Sequence, residues 1–184
     1  MKVTLEVKRF NPESGKGPYI QTYHSDVPDN AMVLDALIQV REEQDGTLAL
    51  RCSCRSSICG SCAMEFNGRP KLACKTKVVQ MASKERKVRV GPGGNFPVIK
   101  DLIVDMAPFW DKIRAIEPWL KPEGPPPKEE YLVPNESMLD LAGAMNCIMC
   151  GACVMACEVT EVDKTWLAPA ALAKAYRFVN DPRD

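Results

Sequence analysis

Four cysteines at a fixed stagger, Cys54-x4-Cys59-x2-Cys62-x11-Cys74, constrain the fold of this chain more than any other feature. Three thiols share one short loop and the fourth lies well beyond it, so they can meet only if the chain doubles back between residues 62 and 74. The intervening residues suit that path. Asn67-Gly68 provides the positive backbone dihedrals of a tight hairpin turn between Ala63–Phe66 and Pro70–Ala73.

The stagger is the plant-type one, in which four thiolates surround a diiron–disulfide rhomb, and it assigns a [2Fe–2S] cluster to Cys54, Cys59, Cys62 and Cys74. Small residues in Ile58-Cys59-Gly60-Ser61-Cys62 let the backbone wrap close and aim N–H groups at the sulfurs, which raises the reduction potential. Arg51, Arg55, Lys75 and Lys77 flank the ligands and favour the more negative reduced state. Cys52 falls outside the stagger and reads as a packed or spare thiol. A structural zinc site is the competing reading, but zinc ribbons usually present two Cys-x2-Cys knuckles and this group has one such pair.

Nine cysteines, an odd number, in a chain whose first residues lack a signal-peptide pattern argue for metal ligation over a disulfide framework. They form two groups with none between Cys74 and Cys147. The second group, Cys147-x2-Cys150-x2-Cys153-x3-Cys157, is the bacterial-type run, whose first three thiolates bind one cubane while the fourth reaches a second cluster. Core cysteines on a helix are the bland alternative. No cysteine follows Cys157, so one cluster lacks its fourth ligand and the next has a single one. We expect the helical part to continue beyond Asp184; alternatively, a partner chain or a non-cysteine ligand completes the set.

The segments around these groups read differently. Alternating Val3, Leu5 and Val7 predict a strand, Asn11 to Pro18 a turn, and Tyr19 to Tyr23 its hairpin partner. Asp29 or Asn30 is expected to cap a helix with Val33, Leu34, Leu37 and Ile38 on one face, and Val88 and Val90 to form a late strand. This is an α+β pattern, and it delimits a first domain at residues 1–100. Gly91-Pro92-Gly93-Gly94 lacks the context of a phosphate loop and reads as a plain turn. Residues 101–134 form a connector whose prolines between Lys121 and Pro134 favour extended backbone. Residues 135–184 carry no strand signal. There Ser137-Met-Leu-Asp140 fits a capping-box start, and Pro169 suits the first turn of a helix that Asn180 would stop.

Other features exclude functions. Lysine plus arginine and aspartate plus glutamate number 24 each, which gives no basic face for nucleic acid. No segment approaches the ~18 consecutive apolar residues of a membrane span, so the chain is expected in the cytoplasm or held at a membrane by other subunits. His24, the sole histidine, is expected as a surface or packed strand residue. Phe109, Trp110, Ile113 and Trp119, with Met145, Met149 and Met155, are expected as core, and Lys84-Glu-Arg-Lys87 as a solvated turn.

Both Cys runs in this order, with Ser53-Cys-Arg-Ser-Ser-Ile-Cys-Gly-Ser-Cys-Ala63, Leu72-Ala-Cys-Lys75, Asn95-Phe-Pro-Val-Ile-Lys-Asp101 and Ala168-Pro-Ala-Ala-Leu172, resemble the iron–sulfur subunit of succinate dehydrogenase and fumarate reductase over nearly the whole chain. The resemblance implies a β-grasp ferredoxin domain followed by an all-helical ferredoxin-type domain. It implies partners too: a flavoprotein carrying FAD and a membrane anchor that binds quinone. The chain would then sit peripherally on the cytoplasmic face of the cell membrane, with no substrate site of its own. Carried over by motif, Cys54, Cys59, Cys62 and Cys74 would hold [2Fe–2S], Cys147, Cys150 and Cys153 would hold [4Fe–4S], and Cys157 would be a ligand of [3Fe–4S]. Electrons would pass singly along the three. Glu158 stands where the family usually has proline, and the tryptophan often found near the quinone is absent at Glu161 and Val162, so no quinone-site residue is assigned.

Overall fold

Val3, Leu5 and Val7 are buried and their neighbours are not, which is the period-two pattern that builds strand β1 (Lys2–Arg9). The computed structural model describes residues 1–184. β1 pairs antiparallel with β2 (Tyr19–Asp26) from Lys2 opposite Asp26 to Arg9 opposite Tyr19, and parallel with β5 (Lys87–Gly91). β5 pairs antiparallel with β3 (Ala63–Phe66), which turns through Asn67 and Gly68 into β4 (Arg69–Leu72). Both turn residues have positive φ, 49° and 78°, as the hairpin requires. The strand order is β2-β1-β5-β3-β4. Helix α1 (Val33–Gln39) buries Val33, Leu34, Ala36, Leu37 and Ile38 in the same core as the inward residues of β1, β3 and β5. A mixed sheet clasping one helix is the expected β-grasp.

α1 does not start on an Asp29 or Asn30 cap. Met32 is the cap residue, and Asp35 reaches back to accept from its N–H at 2.9 Å. The reason is tertiary: the N–H groups of Val33 and Leu34 donate to the carbonyls of Thr76 (2.8 Å) and Ala73 (3.2 Å). The chain on either side of Cys74 thus satisfies donors that a side-chain cap would otherwise take. A short helix α2 (Val78–Met81) follows, burying Val78 and Met81.

Beyond β5 a second core forms from Phe96, Val104, Phe109, Ile113, Val154, Met155, Ala168, Ala170 and Ala171. It gathers the hairpin β6 (Val98–Lys100) and β7 (Ile103–Val104), helix α3 (Ala107–Ala115), and the helices around the second cysteine run. Those are α4 (Asn135–Met145), α5 (Ala152–Met155), α6 (Glu158–Val162) and α7 (Ala168–Val179). α7 carries Pro169 in its first turn and ends at Asn180, as anticipated. α4 begins two residues before Ser137, because extended Pro134 (φ −59°, ψ 142°) ends the proline-rich stretch and Asn135 can already turn; Ser137 therefore lies inside the helix. Residues 116–134 form neither helix nor strand. The buried face of α3 is Phe109 and Ile113, one turn apart, which leaves Trp110 40% exposed, while Trp119 beyond the helix is 53% exposed. These two tryptophans, and Met145 on α4, are not core residues; Met155 is. No helix is long and apolar enough to cross a membrane.

The two cores are joined by the strap from Gly93 to Val104. Asp101, 2% exposed, accepts Arg9 Nε (2.9 Å) and the N–H of Phe10 (3.0 Å) on Oδ1, and the N–H of Ala49 (2.9 Å) on Oδ2. Arg9 also donates to Gln21 (2.9 Å), Asp45 (2.6 Å), Thr47 (2.9 Å) and the Tyr23 hydroxyl. Burial opposes its charge, and the hydrogen bonds to Asp101 and Asp45 outweigh burial, so its pKa rises. At the other end of the strap the Asn95 amide donates to the carbonyls of Val154 (2.8 Å) and Cys157 (2.9 Å). Gly93 lies where a Cβ would fall 2.4 Å from Met155 Sδ, so the glycine-rich segment is a seat for α5 as well as a turn. Gly60 (φ 72°) is equally tight, since a Cβ there would stand 2.8 Å from Cys150 Cβ.

Gly60→Ala is expected to cost more stability than Gly68→Ala in urea denaturation. Both replace a glycine of positive φ, at about 1 kcal/mol, but only Gly60 has a neighbour, whose displacement adds about 1–3 kcal/mol. Equal costs would show that the loop and Cys150 are not in contact. Arg9→Met, which strands Asp101 buried and unpaired, should cost about 3–5 kcal/mol in the same assay. The Thr47 and Tyr23 hydroxyls, with Arg9, hold Asp45 well below the usual carboxylate range. A folded-state pKa below the unfolded one means its stabilisation is present above about pH 4 and fades as pH falls. Asp45→Asn should therefore be less stable than the parent at neutral pH, with the gap narrowing below about pH 4; a gap independent of pH would refute the assignment.

Candidate metal centres

The loop from Cys54 to Cys62 contains three residues in the left-handed region, Arg55 (φ 54°), Ser57 (φ 60°) and Gly60 (φ 72°). Two of them carry side chains, at a cost of order 1–2 kcal/mol each. The curl they impose turns the N–H groups of Ser56 (3.3 Å), Ile58 (3.4 Å) and Cys59 (3.3 Å) onto Cys54 Sγ. Such a ring of amides is a cradle for negative sulfur. The Ser61 hydroxyl lies 3.1 Å from Cys59 Sγ and the Ser57 hydroxyl 3.7 Å from Cys74 Sγ.

Cys74 arrives from the far side of the β3–β4 hairpin. Ala73 N–H donates to the Cys62 carbonyl (3.0 Å), and the start of α1 holds Ala73 and Thr76. The expected ligands stand in two pairs, Cys54 beside Cys59 and Cys62 beside Cys74, and the Ser57 hydroxyl of the loop links to Cys74 Sγ. The Ser61 hydroxyl first, then neighbouring amides and Cys54, lower the Cys59 thiol to about 6. Burial first, and then the adjacent Cys74 charge, push Cys62 up to about 11. No three donors are gathered at the spacing of one metal ion. Two thiol pairs, one amide-cradled and one with Cys62 buried and Cys74 half-buried, suit a rhomb in which each iron takes two thiolates. Cys52 packs half-buried against the first core, as a spare thiol would.

In the second run Met149 (φ 56°) and Gly151 (φ 77°) turn the chain between α4 and α5. Cys147 and Cys150 are half-buried and Cys153 keeps an exposed edge. Partial desolvation, and then the charges of Cys150 and Cys147, push the Cys153 thiol up, which puts these three in one neighbourhood. Cys157 lies apart at the start of α6, where its sulfur accepts the Thr160 N–H at 3.4 Å. A cavity of about 160 Å³ lies beside the contact of the two cysteine groups, lined by Arg51, Cys59, Gly60, Trp110, Met149 and Cys150. His24 is exposed on β2 beside Thr4, away from both groups.

The residues that join the centres, Asn95, Gly93 and Met155, were not foreseen in that role. A partial signal exists: an asparagine after a Gly-Gly pair and before Phe-Pro is a candidate for the positive φ (65°) that Asn95 adopts.

Residues 4–111 match the family model of a 2Fe-2S iron-sulfur cluster binding domain. The chain is 40% identical over 190 residues to the mitochondrial succinate dehydrogenase [ubiquinone] iron-sulfur subunit of Dictyostelium discoideum, covering 99% of this chain and 66% of the relative. It is 40% identical over 185 residues to the fumarate reductase iron-sulfur subunit of Mycobacterium tuberculosis, covering 100% and 74%. A chain of the Mycobacterium smegmatis Sdh1 complex in the apo form superposes with a TM-score of 0.85 at 28% identity, over 100% of this chain and 76% of that one. The chain thus spans about two thirds to three quarters of the length of these proteins. With the cysteine stagger and the two-core architecture, these likenesses establish that the chain belongs to the family of succinate dehydrogenase and fumarate reductase iron–sulfur subunits.

Proposed function

We propose that the chain relays single electrons between the FAD of a flavoprotein subunit and quinone held by a membrane anchor, as the iron–sulfur subunit of a succinate:quinone or fumarate oxidoreductase. The observation that carries this reading is the contact of Gly60 with Cys150, which sets the loop of the first cysteine group directly against the second. Two clusters on adjoining loops make a relay; a lone carrier would need only one.

Within this reading Cys54 and Cys59 hold one iron of [2Fe–2S], and Cys62 and Cys74 the other. Cys147, Cys150 and Cys153 hold [4Fe–4S], and Cys157 is a ligand of [3Fe–4S]; both of those need donors beyond the cysteines of residues 1–184. The clusters supply one-electron chemistry, and the polypeptide places and tunes them. The amides around Cys54 and the Ser61 hydroxyl stabilise the more negative reduced state. Arg51 spans the seam, donating to the Val104 carbonyl at 3.0 Å. The division into a ferredoxin domain (1–100), a connector (101–134) and a helical domain (135–184) belongs to the same proposal, as does a peripheral place on the cytoplasmic face of the membrane. The chain binds no dicarboxylate substrate itself.

In the assembled complex, succinate should reduce the [2Fe–2S] centre, seen as bleaching of its visible absorption and the appearance of its paramagnetic signal. Cys54→Ala should remove that signal and about two irons per chain, and nearly abolish quinone reduction. Intact clusters that succinate cannot reduce would assign the chain to a different flavoprotein. Zinc without visible absorption would overturn electron transfer altogether.

A further inference from the structure

Cys153 and Cys157 close the second run with only three residues between them. One side chain from outside the helical part grips this stretch. Asn95 Nδ2 donates to the Val154 carbonyl (2.8 Å) and the Cys157 carbonyl (2.9 Å), and it stands 3.5 Å from the carbonyl of Met155. An amide nitrogen carries two hydrogens, so both short bonds are made at once, one at each end of the segment. The same two carbonyls accept from the N–H groups of Cys157 (3.1 Å) and Glu161 (3.2 Å), which close the local turns, while Asn95 fixes where those turns lie.

The backbone around Asn95 is shaped for this grip. Asn95 has φ 65°, a left-handed conformation that asparagine tolerates better than most residues with side chains. Before it come Gly93 and Gly94, where a Cβ would fall 2.4 Å from Met155 Sδ and 3.0 Å from the Met155 carbonyl oxygen. The far end of the strap is held by buried Asp101, which accepts from Arg9 of β1 at 2.9 Å. The position of Asn95 is therefore set by the first core and imposed on the second cysteine run. Aspartate suits the same backbone but offers no hydrogen, and glycine offers no side chain.

We propose that Asn95 is a positioning residue for the second cysteine run, holding Cys153 and Cys157 at the spacing that two adjoining clusters require. The proposal rests on the reading of Cys153 as a [4Fe–4S] ligand and Cys157 as a [3Fe–4S] ligand. Groups that touch the ligating residues from outside keep them oriented, and their loss weakens retention of the metal. Here the two ligands serve different clusters. One amide thus links a ligand of each, and the strap ties both to the domain that carries the first centre.

The test measures iron retention against a chelator and the electron paramagnetic resonance of the assembled complex. Cys157→Ala identifies its cluster by the signal that disappears. Asn95→Gly keeps the backbone and removes the grip, whereas Asn95→Asp sets a carboxylate against carbonyl oxygens. Retention of the second-run clusters should fall about tenfold in Asn95→Gly and about a hundredfold in Asn95→Asp, with altered line shapes, while the [2Fe–2S] signal and midpoint stay at parent values. Asn67→Asp, the same exchange at another left-handed asparagine that donates to a carbonyl (Met81, 2.7 Å), should leave the second-run signals unchanged. If Asn95→Asp does not assemble, Asn95→Gly decides. Parent-like retention and line shapes in Asn95→Gly, with the Cys157-dependent signal present, would overturn the positioning role and leave the ligand assignment standing. Equal loss of the [2Fe–2S] centre, or a matching loss in Asn67→Asp, would make the effect one of general stability and overturn the role as well. A full set of signals in Cys157→Ala would overturn both readings.

Discussion

The hydrogen-bonded pair of Arg9 and Asp101 is the constraint on which the rest of this structure depends. It joins the end of β1 to the middle of the strap, and the carboxylate also takes the N–H groups of Phe10 and Ala49. An ion pair this deeply buried contributes little net stability compared with apolar packing, but either half without the other is heavily penalised. Its effect is specificity. The strap has one way to leave the β-grasp core, and that fixes where Asn95, Phe96 and Met106 meet the second cysteine run.

From that anchor the two centres acquire complementary settings. The first is built by local strain, with Arg55 and Ser57 in left-handed conformations so that amides converge on Cys54. Its fourth thiol is delivered by non-local hydrogen bonds, through α1 and the β3–β4 hairpin. The second is built from short helices whose carbonyls at Val154 and Cys157 accept the Asn95 amide, from outside the helical part, as well as their own backbone N–H groups. The glycines at 60 and 93 let the two halves approach to side-chain contact. An electron carrier needs rigid spacing more than a reactive group, and packing of this kind provides it.

Much of this was legible from residue patterns. β1, β2, the Asn67-Gly68 hairpin, β5 and α7 lie where alternation and turn chemistry put them, because those signals are local and each element obeys its own preference. The helix starts were less legible. Met32 caps α1 because Ala73 and Thr76 accept from its first donors, and Pro134 moves the start of α4 ahead of Ser137. Trp110 and Trp119 read as core from their chemistry alone, yet α3 has a single buried face and Phe109 and Ile113 occupy it.

The sequence by itself determined the identity and grouping of the cysteines, the α+β order of the first part and the helical character of the second, since ligand stagger and hydrophobic period depend only on neighbours along the chain. The tertiary structure alone decided that Cys54 stands beside Cys59 and Cys62 beside Cys74, that Gly60 touches Cys150, and that Asn95 holds the Cys157 carbonyl. These relations join residues many positions apart or on separate elements. Their distances follow from how β1, the strap and α5 pack, and no pattern along the chain encodes that packing.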